Sequence, residues 1–168
     1  MDFRQHTPYA LREPQSEYEF QLYSDGAYFK QCQLGGWGFA IYNKTGQLID
    51  SLSGVQISHS SLEMELIAAI KALQWQLQQH PDSPIALFTD AQILLEGLFD
   101  KYPKWQENNW HSANGNPVVY AELWQQLYSL AQNAPVDFYW IKGHTANKQN
   151  QLADQLAREN ILKSQISS

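Results

Sequence analysis

The chain has a single cysteine, Cys32, so no internal disulfide can staple it, and a reducing compartment, the cytoplasm by default, is expected. Long apolar runs are missing, which leaves no segment suited to spanning a bilayer. The first residues, Met1-Asp2-Phe3-Arg4-Gln5-His6-Thr7-Pro8, lack the apolar stretch of a secretory signal. No Cys and His stand at zinc-ligand spacing. Cations are scarce too: 11 Lys and Arg face 17 Asp and Glu, a formal charge of −6. Taken alone, that deficit argues against a polyanionic partner, because duplex binding relies on clustered Lys and Arg. Repeats and low-complexity tracts are absent as well. What is there is a length of 168 residues, enough for one domain with a sizeable core, and an aromatic stock of six Trp and nine Tyr to fill it.

Patterning divides the chain. Residues 1–17 are polar, contain Pro8 and Pro14, and read as a flexible arm. Tyr18–Ser24 alternates like a strand, which Asp25-Gly26 ends. Trp37–Tyr42 reads as a second strand, Asn43-Lys44-Thr45-Gly46 as a hairpin turn and Gln47–Val55 as a third strand. A long amphipathic helix is expected from about Ser61 to Gln79, where His80-Pro81 stops it. Ile85–Thr89 is a continuous apolar strand of the kind buried on both faces, and Asp90 follows it. A short helix over Ala91–Leu98 leads into a Trp- and Asn-rich excursion, residues 99–116, with little periodicity. Val118–Ala131 is helical, Val136–Ile141 is the fifth strand, and a last helix runs from about Lys148 to Leu162. The order β-β-β-α-β-α-α-β-α implies an α/β fold with a mixed five-stranded sheet flanked by helices. One domain over 18–163 is expected, with a tail at 164–168.

One acid is out of place. Glu65 lies three residues after Leu62 and four before Ala69, along the apolar stripe of the long helix. Burying an unpaired carboxylate costs several kcal/mol, so a cation must meet it, either a basic side chain or a metal ion. Glu63 is its rival, but it points about 200° away round the helix. Asp25 and Asp90 each close a strand, and ligands gather at the carboxyl ends of strands in such sheets. Asp154 borders the apolar face of the last helix. Each of the three also has a plain reading: a turn for Asp25-Gly26, an N-cap for Asp90, a solvated helix acid for Asp154. Taken together, hard oxygen donors without thiolate or imidazole partners suit Mg²⁺ or Mn²⁺ and two-metal phosphoryl chemistry.

Five segments in order carry a resemblance: Tyr23-Ser24-Asp25-Gly26, Met64-Glu65-Leu66-Ile67-Ala68-Ala69, Thr89-Asp90-Ala91-Gln92, Trp140-Ile141-Lys142-Gly143-His144 and Asn150-Gln151-Leu152-Ala153-Asp154-Gln155-Leu156-Ala157. Over roughly residues 19–160 the chain resembles ribonuclease H of the bacterial type. The resemblance implies that family's fold, three antiparallel meander strands then two parallel ones. It also implies a metal-dependent endonuclease acting on the RNA strand of RNA/DNA hybrids. Asp25, Glu65, Asp90 and Asp154 would be the metal-binding tetrad, with Asp25 shared by two Mg²⁺ ions. His144 would relay a proton or help product leave, and Gln92 would contact substrate. A monomer is the default.

Two departures stand out. The family's Asn-rich approach to the long helix is replaced by Ser58-His59-Ser60-Ser61, so Ser60 and Ser61 become the candidates for sugar contact. The excursion has the length of the basic protrusion found in many relatives. It offers Trp105, Trp110, Lys101 and Lys104 to a DNA strand, yet Asp100 and Glu107 offset the lysines. The tryptophans also have a plain reading, packing within the protrusion. Weak, salt-sensitive binding is therefore expected. Two other functions stay open: a nuclease of this fold acting on RNA duplex or structured DNA, and a non-catalytic nucleic-acid-binding domain.

Overall fold

Successive strand residues point to opposite faces, and here both faces are apolar, so one sheet carries two cores. A computed structural model describes residues 6–7, 17–143 and 147–167. Its strands are β1 (His6–Thr7), β2 (Phe20–Phe29), β3 (Leu34–Asn43), β4 (Leu48–Ile57), β5 (Ile85–Thr89) and β6 (Val136–Trp140), in the spatial order β1-β6-β5-β2-β3-β4. β2, β3 and β4 form the antiparallel meander, and β5 and β6 join it in parallel. This is the expected five-stranded mixed sheet with one addition. His6–Thr7, in the segment read as an arm, pairs in parallel with Phe138 and Tyr139 on the outer edge of β6. Two residues carry no alternation by which such a strand could be recognised.

The helical segments are α1 (Ser61–Gln79), α2 (Gln92–Leu95), a π-helical stretch (Glu96–Lys101), α3 (Tyr102–Glu107), α4 (Ala121–Asn133) and α5 (Lys148–Ser167). α1 and α4 cover one face, over Leu22, Phe39, Leu87 and Phe138. α5 covers the other, over Tyr23, Ala40, Phe88 and Tyr139. Adjacent residues thus feed opposite cores, and each large side chain so buried contributes about 1.5–3 kcal/mol. Among the described residues, no helix is long and apolar enough to cross a membrane.

Three sequence expectations need correction. β2 does not end at Asp25-Gly26; it continues to Phe29, paired with β3 throughout. Residues 99–107 are helical, because the π stretch and α3 extend α2 without a break. Pro103, which has no N–H to give the preceding turn, stands two residues past the end of that widened stretch. α5 extends beyond Leu162 to Ser167. The β2 correction matters most. β5 pairs with β2 only from Phe20 to Tyr23, so β2 outruns its neighbour and leaves a notch in the sheet at Asp25.

Candidate active site

Asp25 lies opposite Gly38 in the β2–β3 ladder. Tyr23 pairs with Phe88, so extending that parallel register brings Asp90, just past the end of β5, beside Asp25. Glu65 arrives from α1, and Gly26 makes its approach possible. A β-carbon on Gly26 would overlap the Met64 backbone and lie 2.5 Å from Glu65 N. Only a residue without a side chain lets the α1 backbone rest there. The Gly26 N–H donates to Glu65 Oε1. One carboxylate oxygen each from Asp25, Glu65 and Asp90 lies within 4.8 Å of the others. The fourth acid comes from α5, which is seated by small residues. A β-carbon on Gly38 would lie 2.6 Å from Leu156 Cβ, and Gly36 abuts the Ala157 backbone. That close seat brings the Asp154 carboxyl into hydrogen-bond contact with Asp25.

The plain readings of these acids give way at this geometry. Asp25-Gly26 is mid-strand, not a turn. The N-cap of α2 is Ala91, not Asp90, and Thr89 Oγ1 accepts the Ala91 N–H at 3.1 Å. Glu63 secures the start of α1 instead of joining the site. Its Oε1 accepts from Ser58 Oγ at 2.6 Å and His59 N at 3.0 Å, while Ser60 Oγ accepts the Glu63 N–H at 3.3 Å.

The electrostatics follow from crowding. Asp25 is 5% exposed and Glu65 9%. Burial first, then the Asp90 charge, push the Asp25 carboxyl up to about 8. Burial and the neighbouring charges of Asp25 and Asp90 hold Glu65 well above the usual carboxylate range. Among the described residues, Glu65 meets Asp25, Asp90 and the Gly26 N–H, and no basic side chain. Divalent cations fit the donor set: four carboxylates, all hard oxygen, of which Asp25 and Glu65 are pushed toward the protonated form by burial and repulsion.

A neutral side chain completes the arrangement. Asn150, 4% exposed, places Nδ2 3.5 Å from Asp90 Oδ2. Its Oδ1 is buried with no hydrogen-bond partner among the described residues. Its own N–H is capped by Asn147 Oδ1 at 2.8 Å. Asn150 was not singled out from the sequence. The available signal was its position four residues before Asp154, on the same helix face.

The other candidates are more dispersed. Ser60 is the N-cap of α1, and its hydroxyl also meets Tyr120 Oη at 2.7 Å. Ser61 and Gln92 are exposed at the first positions of α1 and α2. Trp105 and Trp110 are half-buried and pack on each other at 6.0 Å, with Trp124 and Tyr102 beside them. This supports the packing reading, although Trp105 also lines a cavity of about 260 Å³ with Leu62, Ile93, Lys101 and Trp124. Lys101 and Lys104 are exposed one helical turn apart. His144 lies outside the described residues.

The family model for RNase H matches residues 17–162. A ribonuclease H of Ruthia magnifica subsp. Calyptogena magnifica is 36% identical over 147 residues, covering 88% of this chain and 97% of that protein. A ribonuclease H of Thiobacillus denitrificans is 34% identical over 142 residues, covering 84% and 93%. Among solved structures, the foamy viral protease-reverse transcriptase in complex with RNA/DNA hybrid matches with a TM-score of 0.75 at 16% identity, over 89% of this chain and 21% of that one, a likeness of fold.

Proposed function

The chain belongs to the ribonuclease H family, and on that premise we propose that it is a divalent-metal-dependent endonuclease that hydrolyses the RNA strand of RNA/DNA hybrids. The observation that carries this reading is the convergence of Asp25, Glu65 and Asp90 within 4.8 Å, with Asp154 in contact with Asp25. Such crowding beside a polyanion has no use in a pure binding domain, and it becomes favourable once divalent counter-charge is present.

Asp25, Glu65, Asp90 and Asp154 would hold two Mg²⁺ ions, or Mn²⁺ in their place. When bound, these supply Lewis acidity toward the attacking water and the scissile phosphate. Asp25 and Glu65, whose burial and crowding favour the protonated form, must give up those protons to bind. The Gly26 N–H keeps Glu65 Oε1 aimed into the cluster while this happens. His144, two residues past Lys142, would carry a proton at the leaving oxygen or help product depart. Ser60, Ser61 and Gln92 would meet sugar edges of the RNA strand. Trp105, Trp110, Lys101 and Lys104 would contact the DNA strand, the lysines through phosphates. The unit would act as a monomer built on residues 18–163, in the cytoplasm, as its lone thiol suggests.

The test is cleavage of end-labelled substrates with Mg²⁺. Cleavage of the RNA strand in a hybrid, with duplex RNA and structured DNA left intact, supports the reading. Cleavage of those other substrates alone, or of none, overturns it.

A further inference from the structure

Asn150 has features that the structural needs of α5 leave unexplained. α5 has its cap in Asn147 Oδ1, so the Asn150 side chain is not required to start the helix. It is instead buried to 4% exposure, beside an acid that itself belongs to a cluster of like charges. A buried amide oxygen left unpaired costs free energy, and native proteins seldom tolerate one without a use. Asn150 Oδ1 is such an atom among the described residues.

The choice of side chain is informative. An amide is neutral and offers two donor hydrogens and an acceptor oxygen together. An acid in its place would add repulsion to Asp25, Glu65 and Asp90, and an apolar residue could donate nothing to Asp90. Its helix position matters as well. Asn150 and Asp154 share a face of α5, so the same helix delivers Asn150 to Asp90 and Asp154 to Asp25. Any movement of α5 on its glycine seat shifts both contacts together.

We propose that Asn150 is a positioning residue for the divalent-cation site: Nδ2 fixes the Asp90 carboxylate for binding, and Oδ1 accepts a hydrogen bond from the water carried in with the cation. This rests on the metal-dependent reading above. Groups that orient metal-binding carboxylates in this way typically change metal affinity by about 10–100-fold when lost. The role predicts a defect in cation affinity, not in hybrid binding.

Thermal shift of the full chain, titrated with Mg²⁺ and separately with Mn²⁺, reads the site without requiring turnover. In Asn150→Ala the cation concentration giving half the maximal shift should rise by about 10–100-fold. Asn150→Ser, which keeps a small donor and acceptor, should lie between Ala and the parent, and covers the case where Ala fails to fold. In cleavage assays the half-saturating Mg²⁺ concentration should rise in parallel, with KM for the hybrid little changed and most of kcat regained at saturating Mg²⁺. An unchanged half-point in folded Asn150→Ala or Asn150→Ser overturns the assignment, whatever happens to kcat or Tm. A parent chain with no cation-dependent shift would instead remove the metal site itself, and Asn150's role with it.

Discussion

Gly26 and Glu65 are bound to each other by the absence of a side chain: the Gly26 N–H meets Glu65 Oε1 at the point where a β-carbon would collide with the α1 backbone. The contact ties the strand that bears Asp25 to the helix that bears Glu65. Gly26→Ala should therefore push α1 outward, destabilise the fold by about 1–3 kcal/mol as overpacking does, and cost more activity than stability. Urea unfolding and hybrid cleavage measured on the same preparation check both halves.

Asp90→Asn removes one charge from the cluster and a donor from the metal set. Cleavage should fall by roughly a thousandfold or more. Without metal, the variant should melt at the same temperature as the parent or higher, since Asp25 and Glu65 lose a like-charged neighbour. Full activity in Asp90→Asn would dismiss the metal role, and a collapsed fold would show that Asp90 is structural.

Glu65 was legible because a carboxylate on an apolar stripe is a contradiction in the sequence itself. Asp90 was legible because a five-residue apolar run has an obvious end. Asp25 was recognised as a candidate for partly the wrong reason. Asp-Gly reads as a strand-ending turn, yet Gly26 is a landing place for α1, and a landing place depends on a helix 39 residues away. Residues 99–107 failed the periodicity test because Pro103 and the preceding π stretch break the 3.6-residue repeat. Asn150 left only one mark, its four-residue spacing from Asp154, since an asparagine reads the same in a sequence whether it meets water or Asp90.

The pH dependence has a definite sign. The Asp25 carboxyl is raised from its ordinary value to about 8, and Glu65 is raised as well, so the folded metal-free protein holds more protons than the unfolded chain between those limits. The Asp25 contribution to stability is complete below about pH 4 and is lost as pH rises through about 8, and the Glu65 contribution is lost in the same direction. Mg²⁺ competes with those same protons. The rise in Tm produced by saturating Mg²⁺ should thus be larger at about pH 9 than at about pH 6. A rise independent of pH, measured by calorimetry, would contradict this.

Hybrid binding should be weak and salt-sensitive, with a slope shallower than a lysine-rich protrusion would give. Lys101 and Lys104 are the exposed cations of the protrusion, and two phosphate contacts correspond to a slope of log affinity on log salt of about −2. Fluorescence anisotropy with Asp90→Asn measures that slope. Lys101→Ala or Lys104→Ala should each flatten it by about 1 and weaken binding to all sequences alike.

The early end of β5 sets where this fold can absorb change. Thr89 stops short while β2 runs on to Phe29, and Asp25 occupies the gap between them. One extra residue after Thr89 would let the two strands zip further and fill that gap with backbone, leaving a better sheet and a dead enzyme. A longer insert in the exposed tip between β3 and β4 would touch nothing that matters. Length variation that the family tolerates should collect at that hairpin and avoid the residues around Asp90.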